Sequence, residues 1–393
     1  MKKLTKLTIF ALAFVLVCMF SACSAQPTQN NDDFLSQNMI ASVGNAAKQV
    51  RSSGLLKLDV DTSPLDSPLS LPTDSSQMSV DLAMQSLVLC CGYNRETTRQ
   101  YFDKVGLTME LQANFDKDFS SAEHTVAYSV GTLADNGMGR SVIVVAVRGT
   151  DGGEWYSNFD FAPSGNFDEG FCENFLFAAQ DVFAGAKQVI GRLDNPLILV
   201  CGHSRGGAVA NLLAVLLSAV YGNENVYGYT FATPNTVQGE RMANNVFNFV
   251  NNGDAVAKLP LSNWGYGRAG TDISLTSKDS LAPGIANEFA EAFLSAAPTV
   301  SDYYNSRYSL TSSGTSDMGL TPFELMLIVS RAMITDGLTD MDVSAFDSVS
   351  SDSAYAQVIA LFNKISANKL LALTAVRQHL PSYYQTLLNE RLA

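Results

Sequence analysis

Histidine is scarce in this chain, with three among 393 residues, His124, His203 and His379. Any chemistry that needs an imidazole must draw on one of them. The six cysteines include no Cys-x-x-Cys pair, and no histidine is spaced from them as a zinc site requires. Basic side chains are also short, 25 Lys and Arg against 38 Asp and Glu, for a net charge of −13. An acidic chain is a poor partner for nucleic acid and is repelled by anionic lipid. No internal repeat is present, which excludes a solenoid. The longest N-terminal apolar stretch, Ile9 to Phe20, is too short for a comfortable membrane span.

That stretch follows a basic start, Met1-Lys2-Lys3 with Lys6, and precedes the small residues Ser21-Ala22 and then Cys23. The pattern resembles a bacterial lipoprotein signal, with residues 1–22 removed and Cys23 carrying the lipid. Cys18 is the weaker lipidation site, because Val15-Leu16-Val17 before it are the wrong size for cleavage. Ordinary secretion with cleavage near Ala25 is the alternative. Under the lipoprotein reading, acyl chains contributing about 0.8 kcal/mol per buried methylene would hold the protein at an extracytoplasmic membrane face. Loss of residues 1–22 removes three lysines and no acid, leaving 22 basic against 38 acidic side chains, a balance of −16.

What the chain does contain is Gly202-His203-Ser204-Arg205-Gly206, set between the apolar run Pro196 to Cys201 and the helix-like Ala208 to Leu217. A serine at the tip of a tight strand-to-helix turn has its hydroxyl lifted above the sheet, and small flanking residues let helix and strand approach. This arrangement reads as a nucleophile elbow. A serine hydroxyl is a weak nucleophile and needs a base, and the base needs an acid to hold its tautomer. In α/β hydrolases, whose nucleophile elbow this turn resembles, the acid and base follow the serine in chain order. His124 precedes it, and His203 adjoins it and is expected to point away across the turn, which leaves His379. Asp254 is the expected acid, because it follows a strand pattern and the carboxyl ends of parallel strands carry such groups. It also fits an Asx turn in Asn252-Gly253-Asp254; Asp272 and Glu240 are weaker choices. Val144 to Val147 form a strand running into Arg148-Gly149-Thr150, so the N–H groups of Thr150 and Arg205 are the expected oxyanion donors. Arg148 is expected to anchor that turn and Trp155 to pack its loop.

Along the chain, residues 24–33 are polar and read as a tether. Residues 34–60 suggest a helix and a strand, and 63–74, with three prolines, a linker or loop. Helical patterns follow from Val80 and from Glu96 to Val105, then strands at 125–133 and 141–147 joined by a turn at Asp135-Asn136-Gly137. Helix is expected at 170–190 and 206–221, and strand at 197–201, 226–231 and 246–250. Strands alternating with helices imply a largely parallel sheet covered on both faces. A helical patch at 285–297 and long helical patterns at 322–335 and 354–379 precede a closing segment, 381–392. Cys201 reads as a core residue, and outside the cytoplasm a bridge from Cys90 or Cys91 to Cys172 is chemically allowed.

Val147-Arg148-Gly149-Thr150, Glu154-Trp155 through Asn158, Gly170-Phe171, the Gly-His-Ser-Arg-Gly-Gly elbow, Thr230 through Pro234 and Asn251 through Pro260 together resemble the class 3 (fungal-type) lipase family. The resemblance covers residues 80–262 and the His379 segment. It implies an α/β-hydrolase fold, a mostly parallel central sheet flanked by helices, with Ser204, Asp254 and His379 as the triad and Thr150 as an oxyanion residue. The implied activity is carboxylic ester hydrolysis, of lipid esters above all, with no metal or organic cofactor. Asp168 stands where the family often has histidine, and Arg205 where leucine is frequent. The implied domain order is signal 1–22, tether and extension 23–79, core 80–264, helical insertion 265–370 and a C-terminal segment 371–393. The insertion is longer than in the fungal enzymes and would form either a cap over the serine or a helical layer packed on the core. Non-lipid acyl esters or thioesters are the alternative substrates, and an inactive surface binding protein the alternative class.

Overall fold

The computed structural model describes residues 60–116, 125–134, 139–149, 163–164, 171–239, 243–302 and 377–392. Helix α1 spans Val80–Leu89 and α2 Arg95–Lys104. Each starts where a side chain satisfies an early backbone N–H: Ser79 accepts from Leu82 and Asn94 from Thr97. Strands β1 (Thr108–Ala113), β2 (Tyr128–Leu133) and β3 (Val142–Val147) form an antiparallel run. Two short strands follow, β4 (Pro163–Ser164) and β5 (Phe171–Cys172), then α3 (Glu173–Ile190), β6 (Leu197–His203), α4 (Arg205–Tyr221) and β7 (Val226–Phe231). The order continues with β8 (Val237–Gln238), β9 (Val246–Asn251), β10 (Tyr266–Gly267), β11 (Thr271–Leu275), α5 (Ala282–Ala296) and α6 (Pro381–Leu392).

Seven strands make the main sheet in the order β1-β2-β3-β6-β7-β9-β11, and β3 through β11 are mutually parallel. Strand β6 is the fourth of the seven, so it is covered on both faces and reads as an unbroken apolar run instead of an alternating one. Its residues nevertheless divide by parity. Ile198 and Val200 join Phe175, Val182, Leu212, Phe289 and Phe293 on one face. Leu197, Leu199 and Cys201 join Leu65, Leu82, Leu87, Tyr384 and Leu388 on the other. Thus α3, α4 and α5 cover one side, and α1, α6 and the 65–71 segment the other. Strands β10, β8, β5 and β4 form a second, small antiparallel sheet.

Three expectations change. The proline-rich stretch 63–74 is not a free linker: Leu65, Leu69 and Leu71 are buried against the sheet, because leucines alternate with the prolines and supply an anchoring face. Of the expected insertion 265–370, residues 266–267 and 271–275 belong to the two sheets and α5 to the core, since β11 extends the parallel ladder beside β9. The bridge from Cys90 or Cys91 to Cys172 is absent. Cys90, Cys91, Cys172 and Cys201 are buried free thiols, and Cys172 lies in the core on the opposite face of the sheet from the other three. Strands β1 and β11 were not anticipated, since both lie at sheet edges and few of their side chains are buried. The turn at 135–137, the 34–59 elements, Cys23, and the helical patterns at 322–335 and 354–376 fall outside the described residues.

Candidate active site

All parallel strands point their carboxyl ends to one edge, and the candidate residues gather there. Ser204 follows β6 directly, with φ 58° and ψ −126°, a conformation L residues adopt only under constraint. Its N–H donates to the Phe231 carbonyl at 2.9 Å, and its own carbonyl accepts from Ala208 at 2.9 Å, so the turn is held from β7 and from the first turn of α4. Close approach explains the flanking glycines. A Cβ on Gly202 would lie 2.0 Å from the Gly206 oxygen, and one on Gly206 would lie 2.4 Å from the carbonyl oxygens of both Val147 and Arg148. The elbow therefore seats against the end of β3, at Val147 and Arg148.

Asp254 is carried by the turn after β9. Its N–H donates to the Asn251 carbonyl at 3.0 Å, and its Oδ1 accepts from the Val256 N–H at 3.0 Å. The Asx turn and the acid site are thus one structure. Asp254 is 1% exposed. His379 bridges acid and serine: Nδ1 is 2.9 Å from Asp254 Oδ2 and Nε2 is 2.9 Å from Ser204 Oγ. With Nδ1–H donating to the carboxylate, Nε2 is left as acceptor for the hydroxyl proton, the state a general base requires.

Tyr384, in the first turn of α6, was not anticipated. It is fully buried, donates its hydroxyl to Asp254 Oδ2 at 2.8 Å and accepts the Asn251 N–H at 3.1 Å. Burial and the Asp254 charge push its phenol well above the ordinary value, so it remains a donor. Pro381 marks a helix start two residues after His379, which is the only sequence signal that a residue of that helix would return to the site. Asn251 adds a second tie, its Nδ2 donating to the Gln378 carbonyl at 3.0 Å and to Gln378 Oε1 at 2.9 Å.

His203 differs from expectation. Its ring does not point away across the turn; its Nε2 lies 3.0 Å from the carbonyl oxygen of His379. Strand alternation explains this, since His203 shares the Cys201 face of β6, the face on which α6 packs.

Thr150 lies outside the described residues, as do His124, Trp155, Asp168 and Glu240. Its neighbour Gly149 is close to the elbow, a Cβ there falling 3.9 Å from Ser204 Cβ. Arg205 opens α4, and its side chain is almost wholly buried over the Phe175 ring with Nη2 donating to the Thr125 carbonyl at 3.2 Å. Arg148 is buried against Phe115, in keeping with an anchoring role. Asp272 lies on β11, where it pairs with Arg268 at 2.8 Å and is not in contact with His379. Among the described residues, no group of three or more His, Cys, Asp or Glu side chains is placed to hold a metal ion.

A serine at the end of a central parallel strand, hydrogen-bonded to a histidine that is itself bonded to a buried carboxylate, defines the α/β-hydrolase class. The sequence model of the class 3 lipase family matches residues 144–264, which contain Gly149, the elbow and Asp254. Two curated relatives, each a secreted mono- and diacylglycerol lipase A, from Penicillium cyclopium and Penicillium camembertii, are each 28% identical over 214 residues, covering 48% of this chain and 67% of the relative. A solved fungal lipase–inhibitor complex is 19% identical with a TM-score of 0.41, covering 50% of this chain and 80% of that one. A lipase from Rhizopus microsporus var. chinensis is 17% identical with a TM-score of 0.40, covering 58% and 85%. The chain is a serine ester hydrolase with the α/β-hydrolase fold.

Proposed function

We propose that the chain hydrolyses acyl esters of lipids, with Ser204 as nucleophile, His379 as general base and Asp254 as the acid that orients it. The observation that carries this reading is His379 held at 2.9 Å from both Ser204 Oγ and Asp254 Oδ2. His379 Nε2 takes the Ser204 proton as Oγ attacks the ester carbonyl. The backbone N–H groups of Arg205 and Thr150 stabilise the oxyanion, and His379 returns the proton to the leaving alcohol. Water, deprotonated by the same imidazole, then attacks the acyl-enzyme and releases the acid.

Lipid as the substrate class is supported by the class 3 lipase match and by the acylglycerol lipases among the relatives. Residence outside the cytoplasm is supported by the N-terminal sequence and by those relatives being secreted lipases. Anchoring through Cys23 rests on the sequence alone, and the anchor would hold an acidic enzyme at a lipid surface that its charge would otherwise avoid.

Hydrolysis of p-nitrophenyl esters from acetate to palmitate by the full chain, beside Ser204→Ala and His379→Ala, tests the reading. Loss of turnover by at least about 1000-fold in both variants is expected, with a preference for the longer acyl chains. Retained turnover in folded Ser204→Ala removes the nucleophile assignment, and a preference for acetate moves the substrate to short acyl groups.

A further inference from the structure

Ser204, Asp254 and His379 do not hold their geometry by their own three side chains. The base comes from a segment 176 residues beyond the elbow histidine, so the main chain that carries its ring has to be fixed to the sheet by contacts of its own. Two such contacts stand at consecutive carbonyls. Asn251 Nδ2, from the end of β9, donates to the Gln378 oxygen at 3.0 Å, and His203 Nε2, from the end of β6, lies 3.0 Å from the His379 oxygen. The donors sit at the ends of two parallel strands, one bearing the serine and the other leading to the acid.

The chemistry of the second contact leaves one assignment. A carbonyl oxygen only accepts, so Nε2 of His203 must carry a proton. The ring is 6% exposed, and its centroid lies 5.1 Å from that of His379 and 6.0 Å from Tyr384, whose ring meets it edge-on. Burial, with the neighbouring His379 adding to it, draws the imidazole well below its ordinary range and leaves it neutral. Its other side faces the oxyanion turn, where a Cβ on Gly149 would fall 3.8 Å from His203 Nδ1. The residue before the nucleophile therefore touches the segment carrying the base and lies beside the glycine preceding Thr150.

We propose that His203 is a positioning residue: by donating its Nε2–H to the His379 carbonyl it fixes the backbone from which the base is hung, so that the His379 ring reaches Asp254 and Ser204 together. This rests on His379 being the base. The role differs from packing, because a ring of similar size without a donor would fill the space and leave the carbonyl unheld. Misplacement of a reacting group by about 1 Å costs about 100-fold in rate, so release of this tie acts on turnover and not on substrate binding.

Two substitutions in the full chain separate donor from packing. His203→Phe keeps an aromatic ring and is expected to lower kcat by about 10- to 100-fold with KM within about twofold. His203→Gln, whose amide can donate in the same direction, is expected to recover kcat to within about fivefold of the parent. An unchanged kcat in folded His203→Phe overturns the proposal, and so does an equal loss in both variants. Nitrogen-15 spectra of the parent, labelled at histidine, provide an arm that survives misfolding of either variant. With three histidines, comparison with His124→Gln and His379→Ala assigns His203. A neutral Nε2–H tautomer is expected, and an Nδ1–H tautomer overturns the bond. Inactivity of the parent towards every ester would instead defeat the proposed function, and the tautomer would still decide whether His203 holds the His379 carbonyl.

Discussion

Tyr384 donates its hydroxyl to Asp254 Oδ2, the same carboxylate oxygen that His379 Nδ1 approaches from the other side, at 2.8 and 2.9 Å respectively. Two donors on one oxygen, and the Val256 N–H on the other, keep a buried carboxylate compensated in a site that water scarcely reaches. Helix α6 thus ties down Asp254 as well as covering one face of the sheet.

Replacing Tyr384 with Phe keeps the ring and removes the donor. A hydrogen bond to a charged group is worth about 1.5–3 kcal/mol, so the variant is expected to unfold at lower denaturant concentration by an amount in that range. Turnover should fall about tenfold as Asp254 loses part of its orientation. Urea titration beside ester hydrolysis reads both, and a variant that matches the parent in stability and kcat would show that the bond does no net work.

Gly206→Ala sets a Cβ against two backbone oxygens, those of Val147 and Arg148 at 2.4 Å. Neither can rotate away as a side-chain tip would. The expected cost is about 1–3 kcal/mol, together with a loss of activity because the turn that is displaced leads to Gly149 and Thr150. A thermal melt and an ester assay on the same sample measure the two effects, and an unperturbed melt would mean that helix and strand lie farther apart than described.

His203 makes stability depend on pH in a defined direction. Its ordinary value is 6.5, and burial lowers it in the folded protein. Below about pH 6.5 the unfolded chain binds a proton there that the folded chain refuses, so stability falls on acidification, at most about 1.4 kcal/mol per pH unit from this group, until the folded value is reached. Above pH 6.5 the contribution is constant. Denaturation curves at pH 7 and pH 5 for the parent and His203→Gln provide the comparison; the drop between the two pH values should be smaller in the variant, and equal drops would count against a buried neutral imidazole.

The four described thiols should be inert in the folded state. Cys90 is 2%, Cys91 5%, and Cys172 and Cys201 0% exposed. Burial raises the Cys90 thiol well above its ordinary value, and contact with Cys201 and Cys91 adds to that. Alkylation with iodoacetamide followed by mass spectrometry should modify these positions only after denaturant is added. Modification of the native protein, or a bridge to Cys172, would contradict the placement of these cysteines on opposite faces of the sheet.

The central strands were legible because they are buried on both faces and so are mostly apolar, 197–201 without interruption and 226–231 with Thr230 as its one polar side chain. Residues 226–231 and 197–201 announce themselves in this way, and α4 and α3 follow from their periodicity. The edge strands were not. In β11, Thr271-Asp272-Ile273-Ser274-Leu275 carries too little apolar character to be distinguished from a loop, and it is a strand because β9 presents it with a parallel ladder. The leucines of 65–71 were hidden by prolines in a similar way, since proline marks a break in local structure and says nothing of what a neighbouring leucine is packed against.

By itself the sequence determined that a serine stands at a strand-to-helix turn, because Gly202, Ser204 and Gly206 are a local geometric requirement met within five residues. Scarcity of histidine narrowed the expected base to His379, and chain order with the end of a strand selected Asp254 as the expected acid. Tertiary structure decided what those choices look like in space. His203, read locally as pointing away, is brought by strand parity to the His379 carbonyl, while Tyr384 reaches Asp254 and Asn251 reaches Gln378, the residue before His379, through contacts spanning 130 and 127 residues. Turn chemistry acts between neighbours and is written in neighbours. Hydrogen bonds that align a distant base depend on which face of the sheet each element covers, a property that exists only once the sheet has formed.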